Sequence, residues 1–137
     1  PSMSYLLDTS AWLAHLFGEP GVEEVTALFE EPDADASISV LSYPEMYGRL
    51  KTLQRQAQWG VVRNSYAPLF VRRLPIDEQV AAMAVELRAA TTPRLPTIDA
   101  LIAATAVVHQ LTLVHRDPHM AALSYPNLRQ KVLPDND

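Results

Sequence analysis

The run from Leu95 to Val108, LPTIDALIAATAVV, constrains this chain more than any other stretch. The nine residues after Asp99 offer Thr105 as their only polar side chain, and an Ala-rich apolar segment of that length reads as a helix packed on nearly all sides. Thr97 is placed to cap it, which puts Asp99 in the first turn. A carboxylate at the head of a buried helix lies beside something other than bulk water and needs a reason to be there.

Around this helix, strand-like and helix-like segments alternate. MSYLLD at Met3 to Asp8 is a short apolar run that reads as a buried strand with Asp8 at its carboxyl end. Ser10 is expected to cap a helix through AWLAHLF, closed by Gly18 and Pro20, and VEEVTALFEE gives an amphipathic helix with Val22, Val25, Leu28 and Phe29 inward. ASISV reads as a second strand leading into the helix LSYPEMYGRLKTLQRQ, where Pro44 suits an early position and Glu45 falls in the first turn. A helix over Trp59 to Phe70, a short strand around VRRLPI and a helix started by Asp77 with Val80, Met83, Ala84 and Leu87 inward come next. TTPRLP is a loop, LTLVH a strand ending near Asp117, His119 to Leu123 a short helix, and LRQKVLP a last strand. This alternation predicts an α/β three-layer domain with a mainly parallel central sheet, in which ligands bind beyond the carboxyl ends of the strands.

The 137 residues suffice for one domain with a real core, and no apolar run is long enough to cross a bilayer. Pro1 and Ser2, ahead of Met3, are open to reading as an expression remnant and carry no structural weight. The absence of cysteine excludes disulfides and thiolate metal sites and agrees with a cytoplasmic setting, leaving carboxylate and imidazole as metal ligands. The net charge of -5 hides an asymmetry. No Lys or Arg precedes Arg49, whereas Met46 to Pro75 carries Arg49, Lys51, Arg55, Arg63, Arg72 and Arg73 and no acid. A local basic face is therefore compatible with an acidic protein.

Four acids stand out by position: Asp8, Glu45, Asp99 and Asp117 each end or begin an apolar segment. Singly, each is an ordinary helix-start or turn residue. As a set they are harder to place, because a helix N-terminus offers a carboxylate roughly 0.3–1 kcal/mol, whereas a partly buried unpaired charge costs on the order of several kcal/mol. Four carboxylates at one edge need a cation, and apart from Arg116 beside Asp117 no basic residue has a claim to that place. An all-oxygen cluster suits Mg²⁺ or Mn²⁺. Such an ion activates water and stabilises a phosphate leaving group, which points to phosphoryl transfer to water.

MSYLLDTSAWLAHL, the Glu in ISVLSYPEMYGRL, the helix DALIAATA and the following LTLVHRDPHM together resemble a PIN-domain ribonuclease of the VapC toxin type, in the family's order and over nearly the whole chain, as one PIN-like domain spanning 1–137. The resemblance implies a metal-dependent endoribonuclease whose four central acids match Asp8, Glu45, Asp99 and Asp117, with a hydroxyl beside the first acid that Ser10 or Thr9 supplies. It also implies a cognate antitoxin, a homodimer and a structured RNA substrate. The chain departs from the family where His115 replaces the usual Thr, His119 a further Asp and Met120 the usual Phe. Imidazole is a poor Mg²⁺ ligand and a better one for Mn²⁺ or Zn²⁺, so the number of metals stays open. Two rivals remain: a non-catalytic PIN-like binding or regulatory module, and an aspartyl-phosphate phosphatase with Asp8 as nucleophile. The phosphatase wants a second Asp where Ser10 stands.

Arg49, Lys51, Arg55 and Arg116 are the candidate contacts to RNA phosphates. Tyr43, Tyr47, Trp59 and Tyr66 read first as core aromatics, with stacking on unpaired bases as the alternative. His15 and His109 read as structural, and Leu13, Leu16 and Phe17 as an apolar stripe open to core or partner packing.

Overall fold

The computed structural model describes residues 3–91 and 94–135, so Pro1, Ser2 and part of the TTPRLP loop lie outside the described residues. Its centre is β1 (Met3–Leu7), flanked on one side by β2 (Ala34–Ser39) and β3 (Arg73–Leu74) and on the other by β4 (Thr112–His115) and β5 (Arg129–Val132). Every pairing is parallel and the order is β3-β2-β1-β4-β5. The expected α/β architecture is thus present, and the order reverses between β1 and β4. The carboxyl ends of those two strands, where Asp8 and Asp117 follow, form the crevice in which open parallel sheets bind ligands.

Alternation along β1 divides the core between the two faces. Tyr5 and Leu7 pack with α1 (Thr9–Phe17), α2 (Val22–Glu30), α3 (Ser42–Thr52) and α4 (Trp59–Tyr66), while Leu6 packs with α5 (Glu78–Ala89) and α6 (Thr97–Val108). Leu6, Leu7, Leu113 and Val114 are wholly buried. Burying each such side chain contributes roughly 1.5–3 kcal/mol, which anchors β1 and β4 at the centre of the core. On the first face Trp12 is completely enclosed by Tyr43, Trp59, Tyr66 and Phe70, with ring centroids 5.5–6.3 Å away. Tyr43, Trp59 and Tyr66 therefore build the core, and Tyr47 alone of the four candidate stacking residues is well exposed.

On the other face α6 is packed as its sequence predicts, with Ala100 and every residue from Ile102 to Val107 buried. The Thr105 hydroxyl is satisfied by donating to the Leu101 carbonyl at 2.8 Å. Two caps differ from expectation. Asp8 rather than Ser10 caps α1, because Asp8 keeps extended dihedrals and accepts the Ser10 amide, leaving the Ser10 hydroxyl free for other work. Pro96 occupies the cap position of α6 without a side-chain bond, and Thr97 instead accepts from Arg88 Nη1 at 3.0 Å. Asp77 caps α5 through the Val80 amide as predicted. A last turn of helix, α7 (Pro118–Ala121), follows β4 and is capped by Asp117. Among the described residues no helix is long and apolar enough to cross a membrane.

Gly21 opens α2 at φ 100°, and a Cβ there would stand 2.9 Å from the Leu133 Cβ. Gly21→Ala is expected to cost about 1–3 kcal/mol through left-handed strain and this clash, seen as a lowered thermal midpoint. A midpoint equal to that of the unaltered protein would contradict the packing described at this corner.

Candidate active site at the carboxyl edge of the sheet

Parallel pairing brings the ends of β1, β2 and β4 to one edge, and α6 starts at the same edge. Asp8, Thr9, Ser10, Leu13, Glu45, Gly48, Arg49, Thr52 and Asp99 line a cavity of about 380 Å³ there. Three of the four candidate acids therefore share one cavity wall. Asp117 is outside that lining but close enough for its charge to act on both Asp8 and Asp99.

Asp8 is nearly buried, and its Oδ2 accepts both the Ser10 amide at 3.0 Å and the Ser10 hydroxyl at 2.6 Å. The same Ser10 oxygen accepts the Arg116 amide at 3.0 Å, so one hydroxyl ties the end of β1 to the end of β4. Burial raises the Asp8 pKa, the Ser10 hydrogen bonds oppose that rise, and the Asp117 charge adds to it. Thr9 does for Glu45 what Ser10 does for Asp8. Its hydroxyl donates to Glu45 Oε1 at 2.5 Å and lies 2.9 Å from the buried Ser42 Oγ, which is left to donate back to it. Burial is again the larger influence on Glu45 and raises its pKa, with Asp8 adding to the rise.

Asp99 shows the clearest perturbation. Burial first, and then the charges of Asp8, Asp117 and Glu45, push it up to about 6, with His119 acting weakly the other way. One carboxyl group thus senses the other three. The basic side chains next to Asp117 in sequence do not neutralise this edge. Arg116 does not pair with Asp117: its Nη2 lies 2.7 Å from Glu19 Oε1 and its Nη1 donates to the Pro20 carbonyl, with only 11% of the side chain exposed. A guanidinium held this way fastens the β4 end to the α1–α2 corner. His119 is 86% exposed and 3.4 Å from Asp117 Oδ1, a partner only when protonated.

Among the described residues, no three His, Asp or Glu side chains stand close enough to close around one ion as they lie. The donors present are hard oxygens, half-buried and mutually repelling, which is the chemistry that a hydrated divalent cation satisfies with several waters retained. The residues fit such an ion by donor type and charge, and not as a preformed cage.

Of the basic candidates, Arg49 lines the cavity, while Lys51 and Arg55 are exposed farther along and beyond α3. Gly48 and Thr52 join the site without having been expected there. Their signal is present in the sequence, because Glu45, Gly48, Arg49 and Thr52 recur at helical spacing and so share one face of α3. His15 is structural as read, with Nδ1 2.6 Å from the Tyr66 hydroxyl.

The fold has counterparts among known proteins. The sequence profile of the PIN domain matches residues 5–124, and the chain belongs to the PIN-domain family. The solved structures that it resembles include VapBC proteins. VapBC2 from Rickettsia felis, solved bound to a DNA fragment from its promoter, superposes with a TM-score of 0.76 at 18% identity, over 95% of this chain and 98% of that one. FitAcB from Neisseria gonorrhoeae gives 0.69 at 28% identity over 93% and 96%. VapBC-5 from Mycobacterium tuberculosis, a member of the VapBC family of toxin-antitoxin systems, gives 0.68 at 26% identity over 96% and 99%. A search of curated proteins finds no significant match.

Proposed function

We propose that this PIN domain is a Mg²⁺- or Mn²⁺-dependent endoribonuclease that acts in the cytoplasm as a toxin neutralised by a cognate antitoxin. The observation that carries the reading is the uncompensated acid edge: Asp99 is raised to about 6 partly by Asp8, Asp117 and Glu45, and the neighbouring guanidinium of Arg116 is spent on Glu19. A bound divalent cation supplies an acidified water and screens the charge on a phosphodiester in the transition state. The chain's own residues do the rest. Asp8, Asp99 and Asp117 would hold the ion, and Glu45, fixed by Thr9 on the same cavity lining, would supply a fourth oxygen donor. Ser10 holds the Asp8 carboxylate in one orientation. Arg49, on the cavity wall, orients a phosphate, and Lys51 and Arg55 extend that contact. The antitoxin is supported by the VapBC toxin-antitoxin system that the chain resembles, and a homodimer completes the reading.

Incubating the protein with a structured RNA and millimolar Mg²⁺ or Mn²⁺ is expected to give discrete internal cuts that EDTA prevents. Cuts unaffected by EDTA would refute metal dependence, and no cuts with either ion would favour the non-catalytic module. The rate is expected to fall as pH drops through about 6, where Asp99 takes up a proton that competes with the ion.

Arg49→Gln combined with Lys51→Gln is expected to weaken RNA binding and to make log K less steeply dependent on log salt, by about one for each phosphate no longer neutralised. Cation affinity in the absence of RNA is not expected to fall, because the variant removes positive charge from the cavity wall. Binding that keeps the original salt slope would move the RNA path off α3.

A further inference from the structure

Behind Asp117 lies a buried polar relay that the chemistry above does not use. His115, the last residue of β4, is wholly inaccessible to solvent. Its Nδ1 accepts the backbone N–H of Asp117 at 3.0 Å, so the ring proton sits on Nε2, 2.6 Å from Gln130 Oε1. Gln130 lies on β5, whose parallel register with β4 brings the two side chains together across fifteen residues of sequence. The Gln130 amide is oriented in turn, because its Nε2 donates to the Leu123 carbonyl at 3.2 Å. Every polar atom of the relay thus has a defined partner and direction.

Packing alone does not call for this. An apolar side chain would fill the same space without two nitrogens to satisfy, and a buried polar group left unpaired costs about 1–3 kcal/mol. What the imidazole adds is a fixed acceptor under the one amide that sets the Asp117 backbone. Asp117 Oδ1 meanwhile accepts the His119 amide at 2.9 Å, so the residue is held both at its backbone and at its carboxylate. Two ties on one short turn determine where that carboxylate aims.

We infer that His115 is a positioning residue for Asp117, and that Gln130 selects the ring tautomer able to do it. The inference deepens the nuclease reading and rests on it for its functional consequence, while its structural half stands alone. Two variants separate positioning from packing. His115→Leu fills the buried space without an acceptor, and His115→Asn retains one that reaches the amide two residues on. Two quantities are read: hydrogen exchange at the Asp117 amide in metal-free protein, and the Mn²⁺ concentration that half-saturates binding. The Leu variant is expected to exchange that amide faster, and to bind Mn²⁺ more weakly, by about tenfold in each case, with the Asn variant within about threefold of the unaltered protein. A packing role predicts the opposite order, since Leu suits a buried site better than Asn. Amide exchange and Mn²⁺ binding unchanged in His115→Leu would overturn the inference. If the unaltered protein itself binds no Mn²⁺, the nuclease reading fails, and the amide exchange of the two variants still decides the positioning role.

Discussion

Asp99→Asn is expected to raise the thermal midpoint of the metal-free protein at pH 7.5 while abolishing RNA cleavage. The first half follows from linkage. The Asp99 carboxyl is raised from 3.8 to about 6 in the folded protein, so between those values the folded state binds more protons than the unfolded one. Stability of the metal-free protein therefore falls as pH rises through that window, and above about 6 the whole penalty is present. Asn keeps the shape and removes the charge. Asp99 is only half-buried, so solvent screening reduces the benefit to on the order of 1 kcal/mol, or roughly 2–6 °C. The gain should shrink towards zero as pH falls below 3.8, where Asp99 becomes protonated in the unfolded state as well, and should reverse in saturating Mn²⁺, which stabilises only a protein that binds it. A variant less stable than the parent at pH 7.5 without metal would mean that the acid edge is not a source of strain.

Asp8→Asn is the second large effect: RNA cleavage and growth inhibition should fall to background with the fold retained. The choice of Asn matters, because Asp8 also caps α1 by accepting from Ser10. Asn is able to accept the same bonds, so the loss of activity reports on the charge. Asp8→Ala should lose activity equally and in addition cost about 0.5–2 kcal/mol for the missing cap. Cleavage by the Asn variant at a rate within a few-fold of the parent, or an intact level of growth inhibition, would remove Asp8 from the metal site.

Most of the fold is legible in the sequence because its signals are local. Apolar runs such as YLL in β1 and LVH in β4, and the unbroken apolar α6, announce buried elements, and their alternation leaves little but a parallel sheet. The four acids are legible for the same reason, since each stands where such an element ends or begins. Capping is less so: Ser10 and Thr97 have the right side chains, but the cap goes to the residue whose backbone is still extended, which is Asp8 in one case and Pro96 in the other. The role of Arg116 is hidden because its partner, Glu19, lies 97 residues away on the α1–α2 corner. The His115–Gln130 contact is hidden likewise, for it exists only once β5 pairs with β4. Sequence adjacency suggests that Arg116 serves Asp117, and tertiary packing assigns it otherwise.

That four carboxylates from separate elements share one divalent cation is tested most directly by calorimetric titration of Mn²⁺ into the metal-free protein at pH 7.5, alongside Asp8→Asn, Asp99→Asn and the exposed, distant control Asp33→Asn. The account predicts saturable binding to the parent and to Asp33→Asn, with affinity lowered by about tenfold or more in each of the other two. Equal affinity in all four proteins, or no saturable heat in the parent at millimolar Mn²⁺, would contradict it.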